Sequence, residues 1–221
     1  MNMRIKEKIK IINNNFLYKT LCASIVSLTV TFIFTVYNTF LGIKYSDSFA
    51  IGISIYYFLL IWLRSATLLV EKKIFSKNAA IKTKVRIKNY SISSILIFII
   101  DFCLIAPMIL MVTQPKDVKF GIIPAIAMAA YSVYKITFAI INYVKSKKTQ
   151  NLTIILFREI NIIEAIVSIL TLQHTLIMVN GGMDEQMRKL SFGTSIALIC
   201  TIIVFSILSF YKNRKLFIPK T

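Results

Sequence analysis

Six charged residues lie inside stretches of the chain that are otherwise apolar, and they are the residues best suited to chemistry. They are three bases and three acids: Arg64, Lys135, Arg158, Asp101, Glu159 and Glu164. An ionised side chain in the middle of a bilayer costs about 2.5–3.5 kcal/mol on insertion scales, so such groups must be paired, hydrated or neutralised. Their formal charges sum to zero, which permits mutual neutralisation.

Two interpretations of these charges compete. In the functional one, they form a substrate or ion pathway: Asp101 or Glu164 binds a cation or a proton, or an organic group pairs with Arg64 or Lys135. In the structural one, they form buried salt bridges that set the register of the helices. The sequence names no ligand in either case.

The elements that must position these charges are membrane-spanning helices. The chain has 221 residues, of which 57% are hydrophobic, and its mean hydropathy is +0.72. Soluble domains are about 45–50% apolar, and about 20 consecutive apolar residues are needed to cross a bilayer as a helix. The sequence therefore predicts an all-α, polytopic membrane protein with six transmembrane helices, at roughly 20–42, 49–70, 92–113, 120–143, 158–179 and 191–211.

The distribution of Lys and Arg predicts the orientation of these helices. The chain carries 27 Lys and Arg against nine Asp and Glu, for a net charge of +18. Most of the bases lie in the N-terminal segment, the second and fourth loops and the C-terminal tail. By the positive-inside rule, the N-terminus and the C-terminus are both cytoplasmic. Because the bases fall in alternate loops, we interpret them as a topology signal and expect no nucleic-acid partner.

The chain divides into three parts on this reading. Residues 1–19 form a basic N-terminal segment, 20–211 the six-helix domain, and 212–221 a basic cytoplasmic tail. Ile5, Ile9, Ile12 and Phe16 recur at helical spacing among lysines, which predicts an amphipathic helix on anionic lipid headgroups. We expect Asn13–Asn15 to break this helix before the first span, and we interpret 81–90, where bases alternate with other residues, as a solvated loop.

Polar side chains follow single faces of four predicted spans. In spans two and four, Arg64 shares a face with Tyr57 and Glu71, and Lys135 with Tyr131 and Asn142. In spans one and five, the stripes are longer and recur at spacings of three and four residues: Thr20, Ser24, Ser27, Thr31, Thr35 and Asn38 in the first, and Arg158, Asn161, Glu164, Ser168, Thr171 and Thr175 in the fifth. Such faces should turn inward and not towards lipid.

The predicted spans also give the depth of the charged residues in the bilayer and the positions where helices are expected to kink. At 1.5 Å per residue, Arg64, Lys135, Asp101 and Glu164 fall in the cytoplasmic half of the bilayer, with Arg158 and Glu159 shallower. Pro107 and Pro124 are expected to kink spans three and four. A broken helix beside Asp101 is an element found in transporters, although an ordinary kink is the simpler interpretation.

Cysteine and histidine usage indicates no metal site or bound cofactor. Cys22, Cys103 and Cys200 are widely spaced within predicted spans and are interpreted as small buried hydrophobes. His174, towards the outer end of span five, is interpreted as a hydrogen-bonded or interfacial histidine, with a proton-relay role as the less favoured alternative. Gly193 and Ala197 have the small-xxx-small spacing that lets helices approach closely.

Two function classes remain, and enzyme activity is not indicated because no catalytic motif is present. The first is a transport-related protein, either a membrane subunit served by a separate ATPase or other subunit, or a carrier of a small solute or ion. The alternative is a regulatory, sensory or immunity-type protein that holds a partner on its basic cytoplasmic face. Both imply a multi-pass protein of a plasma membrane with anionic headgroups at its inner surface, and the Ile, Lys and Asn content suggests a bacterial source.

Overall fold

The computed structural model describes residues 2–113, 121–147, 149–179 and 185–214, and these form helices and no strands. Seven helices follow in order: α1 (Asn2–Tyr45), α2 (Ser48–Ile74), α3 (Ala79–Phe102), α4 (Ile105–Thr113), α5 (Ile122–Ser146), α6 (Leu152–Val179) and α7 (Glu185–Arg214). Nothing is described at 114–120, which includes Lys116 and Lys119, or at 180–184 and 215–221.

Six helical segments are long and apolar enough to cross a membrane, as the sequence predicts. They are Lys19–Tyr45, Ser48–Ile74, Ala79–Met111, Ile122–Ser146, Leu152–Val179 and Lys189–Ser209. The third combines α3 and α4. The chain is therefore an all-α protein of the multi-pass membrane class.

The bundle buries many polar side chains beside its apolar core, and its outer surface is largely apolar. Ser27, Thr31 and Asn38 are fully buried, whereas Ile43 and Ile123 are 70% and 78% exposed. A surface of this kind is suited to lipid, because interior hydroxyls find partners in the protein that hydrocarbon does not offer. The predicted inward-facing stripes of α1 and α6 are confirmed over Ser24–Asn38 and Asn161–Thr175.

α6 lies at the centre of the bundle. It packs most extensively against α5, and it also contacts α1, α2, α3 and α7. Between Leu152 and Val179, twenty of its side chains are buried. The helix that carries Arg158, Glu159 and Glu164 thus reaches all the spans around it.

Two predicted boundaries are wrong because lysine-rich segments are helical. α3 begins at Ala79, thirteen residues before the predicted start, so 81–90 is the first part of a helix and not a loop. α1 is one continuous helix from Asn2 to Tyr45, unbroken at Asn13–Asn15. Lysine is a good helix former, so a run of bases marks the end of the apolar segment without ending the helix. The side chains of 2–16, on which the amphipathic prediction rests, lie outside the described residues.

The two prolines behave differently. α3 ends at Phe102 and α4 begins at Ile105, so the third span is broken at Cys103–Leu104, four residues before Pro107. This break is expected because a proline lacks an N–H and its ring clashes with the carbonyl four residues earlier. The predicted kink at Pro124 is not present. This proline lies in the first turn of α5, where the N–H has no helical acceptor in any case.

The cysteines and the site of close helix packing also differ from the predictions. Cys22, Cys103 and Cys200 are free and exposed on the outside of the bundle, not buried. A Cβ added at Gly193 would meet nothing within 4 Å, so the predicted close packing there is absent from the described part of the chain. Close approaches occur at Gly42 and Gly52 instead, and a Cβ added at Gly52 would lie 2.8 Å from the Cβ of Pro107.

We expect Gly52→Ala to lower the free energy of unfolding by about 1–3 kcal/mol, because the new methyl group forces α2 away from α4. Gly193→Ala is the matched control: it adds the same methyl group in open space and should cause no loss of stability. Denaturant unfolding of the purified protein in mixed micelles measures both. Equal stability of the two variants would contradict the close α2–α4 contact.

Candidate functional site: a column of buried polar layers

Glu164 is the centre of the buried charged site. Its Oε2 accepts a hydrogen bond from Lys135 Nζ at 2.5 Å and lies 3.2 Å from Arg64 Nη2. All three side chains are 1% exposed. Two cations thus share one carboxylate oxygen, and the cluster carries a formal charge of +1.

Neighbouring helices complete this central layer with neutral groups. Ser27 Oγ accepts from Arg64 Nη1 at 2.9 Å and from Lys135 Nζ at 3.2 Å, and Thr31 Oγ1 accepts from Lys135 Nζ at 2.5 Å. Asn161 Oδ1 accepts from Arg64 Nη2 at 2.6 Å. The polar stripes of α1 and α6 therefore supply the ligands of two bases that arrive from α2 and α5.

The central layer is not fully saturated. Glu164 Oε1 and Arg64 Nε are buried and have no hydrogen-bond partner among the described residues. Within that same part of the chain, no second carboxylate lies within 4 Å of Arg64 or Lys135. The layer thus keeps both excess positive charge and unused hydrogen-bonding capacity.

The other two acids do not join the central cluster. Asp101 is fully buried and accepts from Tyr56 Oη at 3.2 Å and from Ser206 Oγ at 2.5 Å. Tyr56 precedes Arg64 by eight residues on α2, which places Asp101 about 12 Å further along the bundle. Asp101 therefore does not share a layer with Arg64, Lys135 and Glu164, because α3 begins thirteen residues before the predicted start of its span.

Glu159 and Arg158 point in different directions from α6. Glu159 is 3% exposed and accepts from Tyr90 Oη at 3.0 Å and from Ser209 Oγ, which joins α3, α6 and α7. Arg158 is half-buried on the opposite side, with its guanidinium carbon 5.5 Å from the centroid of the Tyr143 ring. Mutual neutralisation of the six charges is thus only partial in the described chain: Arg64, Lys135 and Glu164 meet, whereas the other three do not join them.

Two further pairs were not singled out from the sequence. Glu71 is 2% exposed. Its carboxylate accepts hydrogen bonds from Nε and Nη2 of Arg86 and from the hydroxyl of Thr153, the last at 2.9 Å. Arg86 lies in α3 and not in the predicted loop. Asp47, in the turn between α1 and α2, lies 2.7 Å from His174 Nε2, which confirms that this histidine is hydrogen-bonded. The local signal for this second pair is an Asp in the N-cap position directly before a helix, but nothing local identifies its partner.

Together these contacts form five polar layers along the bundle. In order, their acids are Glu71, Glu159, Glu164, Asp101 and Asp47. The first layer lies near the basic ends of α2 and α6 and the last at the α1–α2 turn. Each layer joins at least two helices, so the column runs through the whole length of the spans.

The central layer is closed on one side and approached from the other. Towards the α1–α2 turn, the rings of Phe34 and Tyr131 stack with centroids 3.5 Å apart, and the Tyr57 ring meets Tyr131 edge-on at 6.1 Å. Towards the basic end, a cavity of about 360 Å³ opens between α1, α5 and α6, and Asn161 lies in its wall. Asn161 therefore both lines this cavity and accepts a hydrogen bond from Arg64.

Metal binding finds no support in this arrangement. Within the described ranges, no three His, Cys, Asp or Glu side chains are grouped closely enough to hold a metal ion.

Neither a family model, nor a curated protein, nor a solved structure matches this chain, so similarity to known proteins supplies no evidence about its activity.

We expect Glu164→Gln to lower the free energy of unfolding by roughly 3–5 kcal/mol, because it leaves two buried cations without a counter-charge. Glu185→Gln is the control. It removes the same charge from an ion pair with Lys189 in which both side chains are more than 70% exposed, and such pairs contribute at most about 1 kcal/mol. Denaturant unfolding of both variants tests this, and equal losses would contradict a tightly coupled central layer.

We expect the free energy of unfolding to depend on pH through the carboxyl group of Asp47. Burial raises the pKa of Asp47, but the hydrogen bond and charge of His174 and the backbone N–H donors outweigh it, so the pKa lies below its ordinary value. An acid with a lowered folded-state pKa stabilises the fold above its unfolded pKa, about 3.9, and this contribution is lost as pH falls through the folded value. The Asp47→Asn variant lacks this stabilising contribution at every pH.

The measurement is the difference in unfolding free energy between wild type and Asp47→Asn from pH 7 to pH 2. We expect wild type to be the more stable at neutral pH, and the difference to shrink below about pH 4. The asparagine keeps the helix cap, in which the Asp47 side chain accepts from Phe49 N at 3.0 Å. A difference that is constant with pH would refute the ionic role of this pair.

Proposed function

We propose that this chain is a transport-related membrane protein, either a carrier of a small solute or ion or the membrane subunit of a larger transporter. The observation that carries the proposal is the central layer of Arg64, Lys135 and Glu164. It combines excess positive charge with unused hydrogen-bonding atoms, and Asn161, which accepts a hydrogen bond from Arg64, also lines a cavity at the basic end of the bundle.

A structural role alone accounts less well for this arrangement. A buried cation that lacks an acid of its own costs several kcal/mol, which a purely structural salt bridge must offset by other contacts. An excess charge is retained at such expense more readily where a solute or ion compensates it during a working cycle. Rings of Phe34, Tyr57 and Tyr131 on one side and a cavity on the other suit a carrier in a state open to one face.

The positive-inside rule supplies the proposed orientation. The cavity opens at the end where Lys19 and Lys145 lie, and the bases of the second loop and of α3 lie at the same end as the Glu71–Thr153 contact. We therefore assign this end to the cytoplasm and the chain to the plasma membrane of a bacterium. A separate ATPase or second membrane subunit remains a partner consistent with this proposal.

The alternative is a regulatory, sensory or immunity-type protein that holds a partner on the basic face. It is supported by the many bases at that face, and it does not require solvent to enter the central layer. The two functions therefore differ in whether water-soluble reagents reach Ser27.

Cysteine accessibility tests this difference without knowledge of the substrate. In a background with Cys22, Cys103 and Cys200 changed to serine, single variants Ala23→Cys, Ser27→Cys and Asn38→Cys are treated in oriented vesicles with a membrane-impermeant, anionic thiosulfonate. We expect Ala23→Cys and Ser27→Cys to react from the basic side. Asn38→Cys, which lies about 16 Å beyond Ser27 on α1, should not react from that side.

Ala23 lines the cavity and Ser27 contacts both central bases, so their reactivities report the entrance and the layer separately. A reactive Ala23→Cys with a Ser27→Cys that is unreactive from both faces would mean that the layer is a closed structural core, and transport through it would be rejected. Wild-type-like unfolding of each variant is the control for folding.

A further inference from the structure

The cavity between α1, α5 and α6 has a lining of one charge sign. Three of its residues are bases, none is an acid, and most of the rest are polar. The full lining is Lys19, Thr20, Ala23, Asn142, Lys145, Ser146, Ile154, Phe157, Arg158 and Asn161. Its volume of about 360 Å³ falls within the range of small-ligand sites.

A second cavity shows that this pattern is not general. The groove between α1 and α2 is larger, about 720 Å³, and most of its lining is apolar, with Glu71 and Lys72 of opposite sign at one end. It therefore presents a surface suited to hydrocarbon. The α1–α5–α6 cavity is lined by several bases and no carboxylate, and the α1–α2 groove at the same end of the bundle is not.

Arg158 is held in place for binding. Its guanidinium lies over the Tyr143 ring, and its Nε is buried with no hydrogen-bond partner among the described residues. Stacking on an aromatic ring restricts the plane of the guanidinium, and a planar guanidinium matches the oxygens of a phosphate group. Lys19 and Lys145 then add two point charges from neighbouring helices.

The depth of the cavity suits a phosphate at the membrane surface. Lys145 is the penultimate residue of α5, and Arg158 lies about 9 Å beyond the first residue of α6. The bases thus occupy the outermost turns of the spans, where lipid phosphates and dissolved solutes both have access. The next polar residue inward is Asn161, whose Oδ1 already accepts from Arg64.

From these observations we propose that the α1–α5–α6 cavity is a binding site for a phosphate group, held by Arg158, Lys145 and Lys19. The group comes either from a dissolved phosphate or from the headgroup of an anionic lipid. This site does not depend on the proposed transport function, because binding at the cavity requires no passage through the central layer.

The test measures thermal unfolding of the full chain in a neutral detergent with phosphate-free buffer. Inorganic phosphate is titrated against chloride at constant ionic strength, and in a second arm phosphatidylglycerol is titrated against phosphatidylcholine. We expect saturable stabilisation by several degrees in at least one arm, because a ligand that binds only the folded state raises its stability. Stabilisation by phosphate identifies a dissolved ligand, and stabilisation by phosphatidylglycerol alone identifies a lipid headgroup.

Charge-matched variants separate the site from general electrostatics. Lys145→Gln and Arg158→Gln should weaken the apparent affinity roughly tenfold, the effect of about 1.4 kcal/mol. Lys147→Gln removes the same charge two residues away, outside the cavity lining, and should change the affinity by less than about twofold. Lys145 is exposed, so its variant should fold even if Arg158→Gln does not.

Two results would overturn the proposal. One is the absence of saturable stabilisation in both arms. The other is an equal loss of affinity in Lys145→Gln and Lys147→Gln, which would mean that the basic surface attracts anions without a defined site. Neither result bears on whether a thiol reagent reaches Ser27, so failure of this site and failure of the transport proposal are distinguishable.

Discussion

The carboxylate of Glu164 is the contact on which the arrangement of the spans depends. Arg64 and Lys135 reach it from two different helices, and Ser27 binds both bases from a third. In a surrounding of lipid, these cations have no aqueous alternative, so α1, α2 and α5 are held to α6 by groups that lose their partners if any one helix moves away. This explains why α6 is the central helix and why its polar residues from Glu159 to Thr175 are buried.

The same constraint orders the rest of the molecule. Each acid along the column has hydroxyl or basic partners on other helices: Tyr56 and Ser206 for Asp101, Tyr90 and Ser209 for Glu159. Because every layer joins different helices, the layers specify register over the full length of the spans. The apolar outer surface contributes little to this specificity, since lipid solvates it as well as another helix would.

The two ends of the column differ in a way that bears on both proposals. Stacked aromatic rings pack beside the central layer on the side of the α1–α2 turn. On the basic side the bundle opens into a cavity bounded by α5 and α6. Transport through the centre and phosphate binding at the entrance both draw on this asymmetry, but the first concerns Ser27 and its neighbours and the second Arg158 and its neighbours.

The sequence by itself determined the six spans and the buried faces of α1, α2 and α6, because apolar length and helical periodicity are local properties. It also placed Arg64, Tyr57 and Glu71 on one face. Only the tertiary structure decided that Glu164, and not Asp101 or Glu159, meets the two bases, since three acids of equal charge are indistinguishable until the helices are packed. The separation of Asp101 from the central layer and the pairing of Arg86 with Glu71 could not be predicted, because lysines end an apolar run without ending a helix. The Asp47–His174 contact joins residues far apart in the chain, and such a pairing is set by which helix ends meet, a property that no local pattern contains.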